Sequence, residues 1–83
     1  FPTVKLAYEM GRKGGTATVC LNASNEEAVF AFLDGRIKLY NIYEITKKMC
    51  DEHRVIENPT IDEIFEVDKE IREKTKEYIN TVH

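Results

Sequence analysis

The chain has 83 residues, of which 42% are hydrophobic and 33% charged, and carries a formal net charge of -3. That length fits one domain able to bury only about 60–65% of the surface its unfolded form exposes, which excludes two domains and a large enclosed core. Lys and Arg are interleaved with Asp and Glu, which argues against a nucleic-acid partner, and no apolar run nears the roughly 20 residues that a membrane span requires.

Phe1-Pro2-Thr3 lacks the charged and apolar regions of a signal peptide. Because the chain opens on Phe1 and not on Met, it is expected to be a stretch of a longer polypeptide, or the product of processing or trimming. Cys20 and Cys50 are too few for a disulfide-built domain and are expected as buried thiols in a reducing compartment. Pro2 suits the first turn of a helix. Leu6, Ala7 and Met10 follow at helical spacing, and Gly14-Gly15 stops the helix, so the first helix is predicted over 2–13.

Thr16 to Ala23 mixes the β-branched Thr16, Thr18 and Val19 with Ala17, Leu21 and Ala23, and reads equally as a helical turn or an extended link. Ser24 with Glu27 three residues later is a capping box, predicting a helix start there. Ala28, Val29, Phe32 and Leu33 continue at helical spacing to Gly35. Arg36 to Tyr40 alternates, with Ile37 and Leu39 on one side, but finds no partner strand and is expected as an extended connector.

Asn41 with Glu44 is a second cap pair, and Ile42, Ile45 and Met49 form the stripe of a helix over about 42–53. Val55 to Pro59 is a connector, because the residue before Pro59 disfavours helix. Thr60 with Glu63 is a third capping box, followed by Ile61, Ile64 and Phe65. Asp68 is read as the cap of a last helix with Ile71, Thr75, Tyr78 and Ile79 on one face. Its other face carries Lys69, Glu70, Arg72, Glu73, Lys74, Lys76 and Glu77, with a Glu70–Lys74 pair of opposite sign and an Arg72–Lys76 pair of like sign that marks a solvated face. The expected fold class is all-α, a small antiparallel helical bundle of four to five short helices.

Gly11, Gly14 and Gly15 beside Arg12 and Lys13 resemble a phosphate cradle in composition, but they follow no strand and end a helix, so they are read as a turn. Cys50 and His53, three apart, offer at most two metal ligands and are read as a surface helix end. Asp62, Glu63, Glu66, Asp68 and Glu70 lie at helix starts, where capping and the dipole explain them. No catalytic, cofactor-binding or metal-ligating residue is therefore assigned. The segment Leu21-Asn22-Ala23-Ser24-Asn25-Glu26-Glu27 stands out, and its polar side chains serve either as a capped turn or as a contact with another domain. Asn22, Asn25 and Glu26 are the residues expected at such a contact.

Phe1-Pro2 with Leu6-Ala7-Tyr8-Glu9, then Gly14-Gly15-Thr16, Leu21-Asn22-Ala23-Ser24-Asn25-Glu26, Ala28-Val29, Phe32-Leu33 and Gly35-Arg36-Ile37 together resemble the C-terminal domain of 1-deoxy-D-xylulose 5-phosphate reductoisomerase. Ile61-Asp62-Glu63-Ile64, Val67-Asp68 and the charged tail extend the resemblance over the whole chain. Ser24 stands where the family's Leu-Asn-Ala-Ala-Asn-Glu pattern has Ala. The resemblance implies that residues 1–83 form a single C-terminal helical domain. The parent enzyme would make 2-C-methyl-D-erythritol 4-phosphate, a step of non-mevalonate isoprenoid synthesis, with NADPH and Mg²⁺ or Mn²⁺. It would be a homodimer of the cytoplasm or plastid. Its NADPH-binding and catalytic domains, with the dinucleotide loop and the acidic metal motif, would be this domain's partners, and the chain alone would be inactive. A free-standing helical interaction module is the competing expectation.

Overall fold

The computed structural model describes residues 2–83, so Phe1, part of the family resemblance, lies outside the described residues. Four helices follow one another: α1 (Pro2–Lys13), α2 (Thr16–Leu33), α3 (Leu39–Glu52) and α4 (Ile61–Val82). Among the described residues there is no strand, and the all-α expectation holds with four helices.

α1 begins on Pro2 and ends where Gly14 and Gly15 take φ of +66° and +53°, a region that side chains with a Cβ rarely adopt. α2 runs unbroken through the predicted start at Ser24. The local capping signal loses to burial: Thr16, Ala17, Cys20, Ala23, Ser24, Glu27, Ala28 and Ala31 form one buried stripe along the helix. Ser24 is fully buried mid-helix, and its hydroxyl donates to the Cys20 carbonyl oxygen at 2.6 Å, so it is satisfied without capping anything.

α3 starts at Leu39, earlier than expected, with Lys38 as the extended residue before it. Asn41 therefore sits one turn inside the helix. Its Oδ1 still accepts the Lys38 N–H at 2.8 Å, while its Nδ2 donates to Glu44 Oε1 at 2.7 Å. The box at Thr60 forms as the spacing predicts. Thr60 Oγ1 accepts the Glu63 N–H at 3.1 Å and Glu63 Oε1 accepts the Thr60 N–H at 2.9 Å. The helix it opens continues to Val82, so Asp68 caps nothing; it accepts from Arg72 Nε at 2.9 Å, one turn on.

The core contacts set α3 antiparallel to both α2 and α4, so α4 runs alongside α2 in the same direction. One core cluster joins Leu6 and Met10 of α1, Ala17, Cys20 and Ala23 of α2, Met49 and Cys50 of α3, and Val67 and Ile71 of α4. The second joins Ala28, Ala31, Ile37, Ile45 and Ile79, and Tyr78 packs against both. The predicted stripes of α3 and of the second half of α4 face inward, with Ile45, Met49, Ile71, Thr75 and Ile79 all buried. The first turns of α4 do not. Ile61 and Phe65 are 72% and 70% exposed, and the inward packing of α4 begins at Val67.

Gly15 and Gly11 are expected to respond in opposite ways to alanine. A Cβ on Gly15 would stand 2.2 Å from the Ile56 carbonyl oxygen, whereas one on Gly11 meets nothing within 4 Å. Urea unfolding of Gly15→Ala should show a loss of about 2 kcal/mol. Gly11→Ala, inside α1, should gain about 0.5–1 kcal/mol.

Candidate functional site

Three clusters and one outward face collect the residues with chemical potential. The first cluster closes the α1–α2 turn. Thr16 N–H donates to the Ile56 carbonyl at 3.1 Å, and Thr16 Oγ1 accepts the Ile56 N–H at 2.8 Å while standing 2.8 Å from His53 Nε2. Ala17 N–H donates to the Gly14 carbonyl. The glycine turn thus leads directly into α2, which settles the segment Thr16 to Ala23, open between a helical turn and an extended link from sequence, as helix. It is still no phosphate cradle, because the first free N–H groups of α2 are taken and Ile56 and Glu57 cover Gly15.

Cys50 and His53 diverge. Cys50 is buried in the core cluster that also holds Cys20, not at the surface as its place near a helix end suggested; His53 is half-buried and turns to Thr16. Both cysteines are free and buried, as expected. Among the described residues no three His, Cys, Asp or Glu side chains gather, and the acidic group at the start of α4 is divided between the cap at Glu63 and the Asp68–Arg72 pair. A divalent cation needs about six oxygen ligands, so these residues do not fit the metal that the resemblance implies for the parent enzyme, and no chemical step is derived through it.

The third cluster is ionic. Arg72 Nη1 lies 3.0 Å from Glu26 and 2.9 Å from Glu27, and its Nε bonds Asp68. These carboxylates, Asp68 foremost, hold the guanidinium protonated even more firmly than usual. The Arg72–Lys76 like-charge pair is explained by Glu27, which both cations face and which is only 8% exposed. The expected Glu70–Lys74 pair gives way to a bond across the bundle: Lys74 reaches Glu52 at 2.9 Å, and Lys48 and Lys74 together hold the Glu52 carboxyl down to about 2.

The segment from Asn22 to Glu26 forms no turn. It lies mid-α2, where helical spacing sets Asn22, Asn25, Glu26, Val29, Phe30 and Leu33 on one outward face. Among the described residues neither asparagine hydrogen-bonds through its side chain, while Glu26 is drawn aside to Arg72. Phe30 and Leu33 are 53% and 74% exposed. Sequence reasoning set Leu33 in one periodic run with Ala28, Val29 and Phe32, did not single out Phe30, and so missed this apolar end of the face. The available signal was that the last turns of α2 carry apolar residues on both sides, Ala28 and Ala31 inward and Phe30 and Leu33 outward, more than one buried stripe uses.

A family model described as the DXP reductoisomerase C-terminal domain matches residues 1–74. The chain belongs to this family. Similar proteins include the 1-deoxy-D-xylulose 5-phosphate reductoisomerases of Listeria innocua, 43% identical over 82 residues (99% of this chain, 20% of that protein), and of Desulforamulus reducens, 46% identical over 79 residues (95% and 20%). The same enzyme of Thermoanaerobacter pseudethanolicus is 46% identical over 80 residues (95% and 21%). The chain spans about one fifth of the length of these reductoisomerases. No solved structure matches significantly. The family match takes in all of α1 to α3, including the outward face of α2, and α4 as far as Lys74. No described helix of this reductoisomerase domain is long and apolar enough to cross a membrane.

Two measurements test the clusters. Burial lowers the His53 pKa below its usual 6.5, Lys74 lowers it further and Glu70 opposes. The unfolded chain then takes up the proton more readily, so stability is at its fullest above the unfolded value and falls as pH drops through it toward the folded one. Urea midpoints taken between about pH 7.5 and 5.5 should fall more for the native chain than for His53→Gln. Separately, Arg72→Ala leaves Glu27 with Lys76 alone, at 3.9 Å, and should cost about 2 kcal/mol. Glu26→Ala, at the exposed end of the same cluster, should cost under about 0.5 kcal/mol.

Proposed function

We propose that this chain serves as the C-terminal helical domain of a 1-deoxy-D-xylulose 5-phosphate reductoisomerase and works by packing against the rest of that enzyme. The observation carrying this reading is the near-complete cover of the chain, 99%, by one fifth of a named reductoisomerase. In the proposal the parent enzyme converts its substrate to 2-C-methyl-D-erythritol 4-phosphate with NADPH and Mg²⁺ or Mn²⁺, as a homodimer. NADPH and the metal are held by the other domains, and residues 1–83 supply none of the reacting groups. The buried free thiols fit a cytoplasmic setting.

The surface proposed to meet those domains is the outward face of α2. Asn22 and Asn25 have spare donors and acceptors there, and Phe30 and Leu33 add apolar area beside them. Glu26 belongs to the same face but is restrained by Arg72 at 3.0 Å, so its part is to align the polar end of the contact.

The purified chain, given substrate, NADPH and Mg²⁺, should consume no NADPH above background; turnover by the chain alone would overturn the proposal. Leu33→Asp should leave the stability of the isolated chain within about 0.5 kcal/mol, because the side chain is already in water. In the full-length reductoisomerase the same change should lower the unfolding midpoint and the activity. An unaffected enzyme would remove α2 as the contact while leaving the family assignment standing.

A further inference from the structure

We propose that His53 is an acid-released latch: its neutral ring holds the connector between α3 and α4 against the start of α2, and protonation of the ring releases that connector. The hydrogen bonds fix where each proton lies. Thr16 is fully buried, so its hydroxyl has no water to bond. Its oxygen accepts the Ile56 N–H at 2.8 Å and stands 2.8 Å from His53 Nε2. The buried hydroxyls of Ser24, Thr46 and Thr75 each donate to a carbonyl one turn back in their own helix. Thr16 is the first residue of α2 and has no such carbonyl. Among the described residues, the ring nitrogen is therefore the acceptor left for the Thr16 proton. It follows that His53 accepts at Nε2 and carries its own proton on Nδ1.

Protonation turns that acceptor into a donor. Two N–H groups, from Ile56 and from the ring, then aim at one buried oxygen, and the Thr16 proton is left without an acceptor. α2 meets the ring through the neutral Thr16. The charged groups acting on it belong to α4: Lys74, which opposes a positive ring, and Glu70, which favours one. Burial and Lys74 outweigh Glu70, so the latched form takes up the proton less readily than the open one, and acid favours opening. The segment that opens is bounded by bonds the ring does not touch. α3 closes on the His53 N–H to the Cys50 carbonyl, and α4 opens on the Thr60–Glu63 box. The release is thus local, with the four helices intact. It breaks both bonds between Thr16 and Ile56 and uncovers Val55 and Ile56, which pack against the core in the latched form.

The test is NMR on the isotope-labelled chain, with the His53 ring assigned by the signal that His53→Gln removes. At about pH 7.5 the ring should be protonated on Nδ1 and bare at Nε2; a ring protonated on Nε2 there would overturn the proposal. Exchange of the Ile56 amide, corrected for its intrinsic pH dependence, should speed up severalfold between about pH 7.5 and 5.5. The amides of Ile45 and Ile71, in the middle of α3 and α4, should keep their protection over that range. In His53→Gln the side-chain carbonyl still accepts the Thr16 proton but does not titrate, so Ile56 should show no such change. Ile56 exchange that ignores pH in the native chain, or follows it equally in the variant, would overturn the latch. So would exchange that rises only in step with Ile45 and Ile71, which is unfolding of the whole domain. Should the variant fail to fold, the ring is assigned by its proximity to Thr16, and Ile56 against Ile45 and Ile71 in the native chain decides.

Discussion

The docking of Thr16 onto Ile56 places everything that follows it. α1 and α2 are joined by two glycines, and the second has no room for a side chain because the Ile56 carbonyl lies against it. That closeness lets Thr16 bond both the N–H and the carbonyl of Ile56 and hold His53 as well. The segment after α3 is thereby pressed against the start of α2. Thr60 then caps α4 in an orientation that sends it alongside α2 and antiparallel to α3. Nothing in the connector's own sequence sets this direction; it is imposed by the two bonds that Thr16 makes to the Ile56 backbone, one through its N–H and one through its hydroxyl, beside a point where only glycine fits.

α2 completes the arrangement because its inward side chains are small. Ala17, Cys20, Ala23, Ser24, Ala28 and Ala31 present a broad, shallow strip on which both α3 and α4 rest. Large side chains come from the neighbours: Met10, Met49, Ile45, Ile71 and Ile79. The one charged residue in the strip, Glu27, is tolerable only because Arg72 reaches it from α4. A carboxylate removed from water must be paired to persist, and the pairing fixes the axial register of α4 on α2 as firmly as the apolar contacts do.

Much of this was legible locally. Pro2, the Gly14-Gly15 stop, the Gly35 stop and the Thr60–Glu63 box each act within a few residues, and each stands where the spacing put it. Ser24–Glu27 and Asp68 failed for one shared reason. A capping pattern describes what a helix start needs, not whether the chain upstream is helical, and burial of Ala17 and Cys20 decided that. The outward face was half legible: Asn22, Asn25 and Glu26 drew notice as polar residues, while Phe30 and Leu33 hid in a periodic pattern that served two faces at once.

That double periodicity bears on the domain's role. A chain of 83 residues has little apolar surface to spare, yet Phe30, Leu33, Leu39, Tyr40, Ile61 and Phe65 all stand largely in water. An autonomous domain of this size would gain stability by turning such residues inward or replacing them with polar ones. Here the last turns of α2 instead carry Phe30 and Leu33 on a side that its own bundle does not use. A helix buried on two sides is the arrangement that makes sense of such a sequence. The bundle supplies one side through α3 and α4, and the proposed neighbouring domains of the reductoisomerase supply the other.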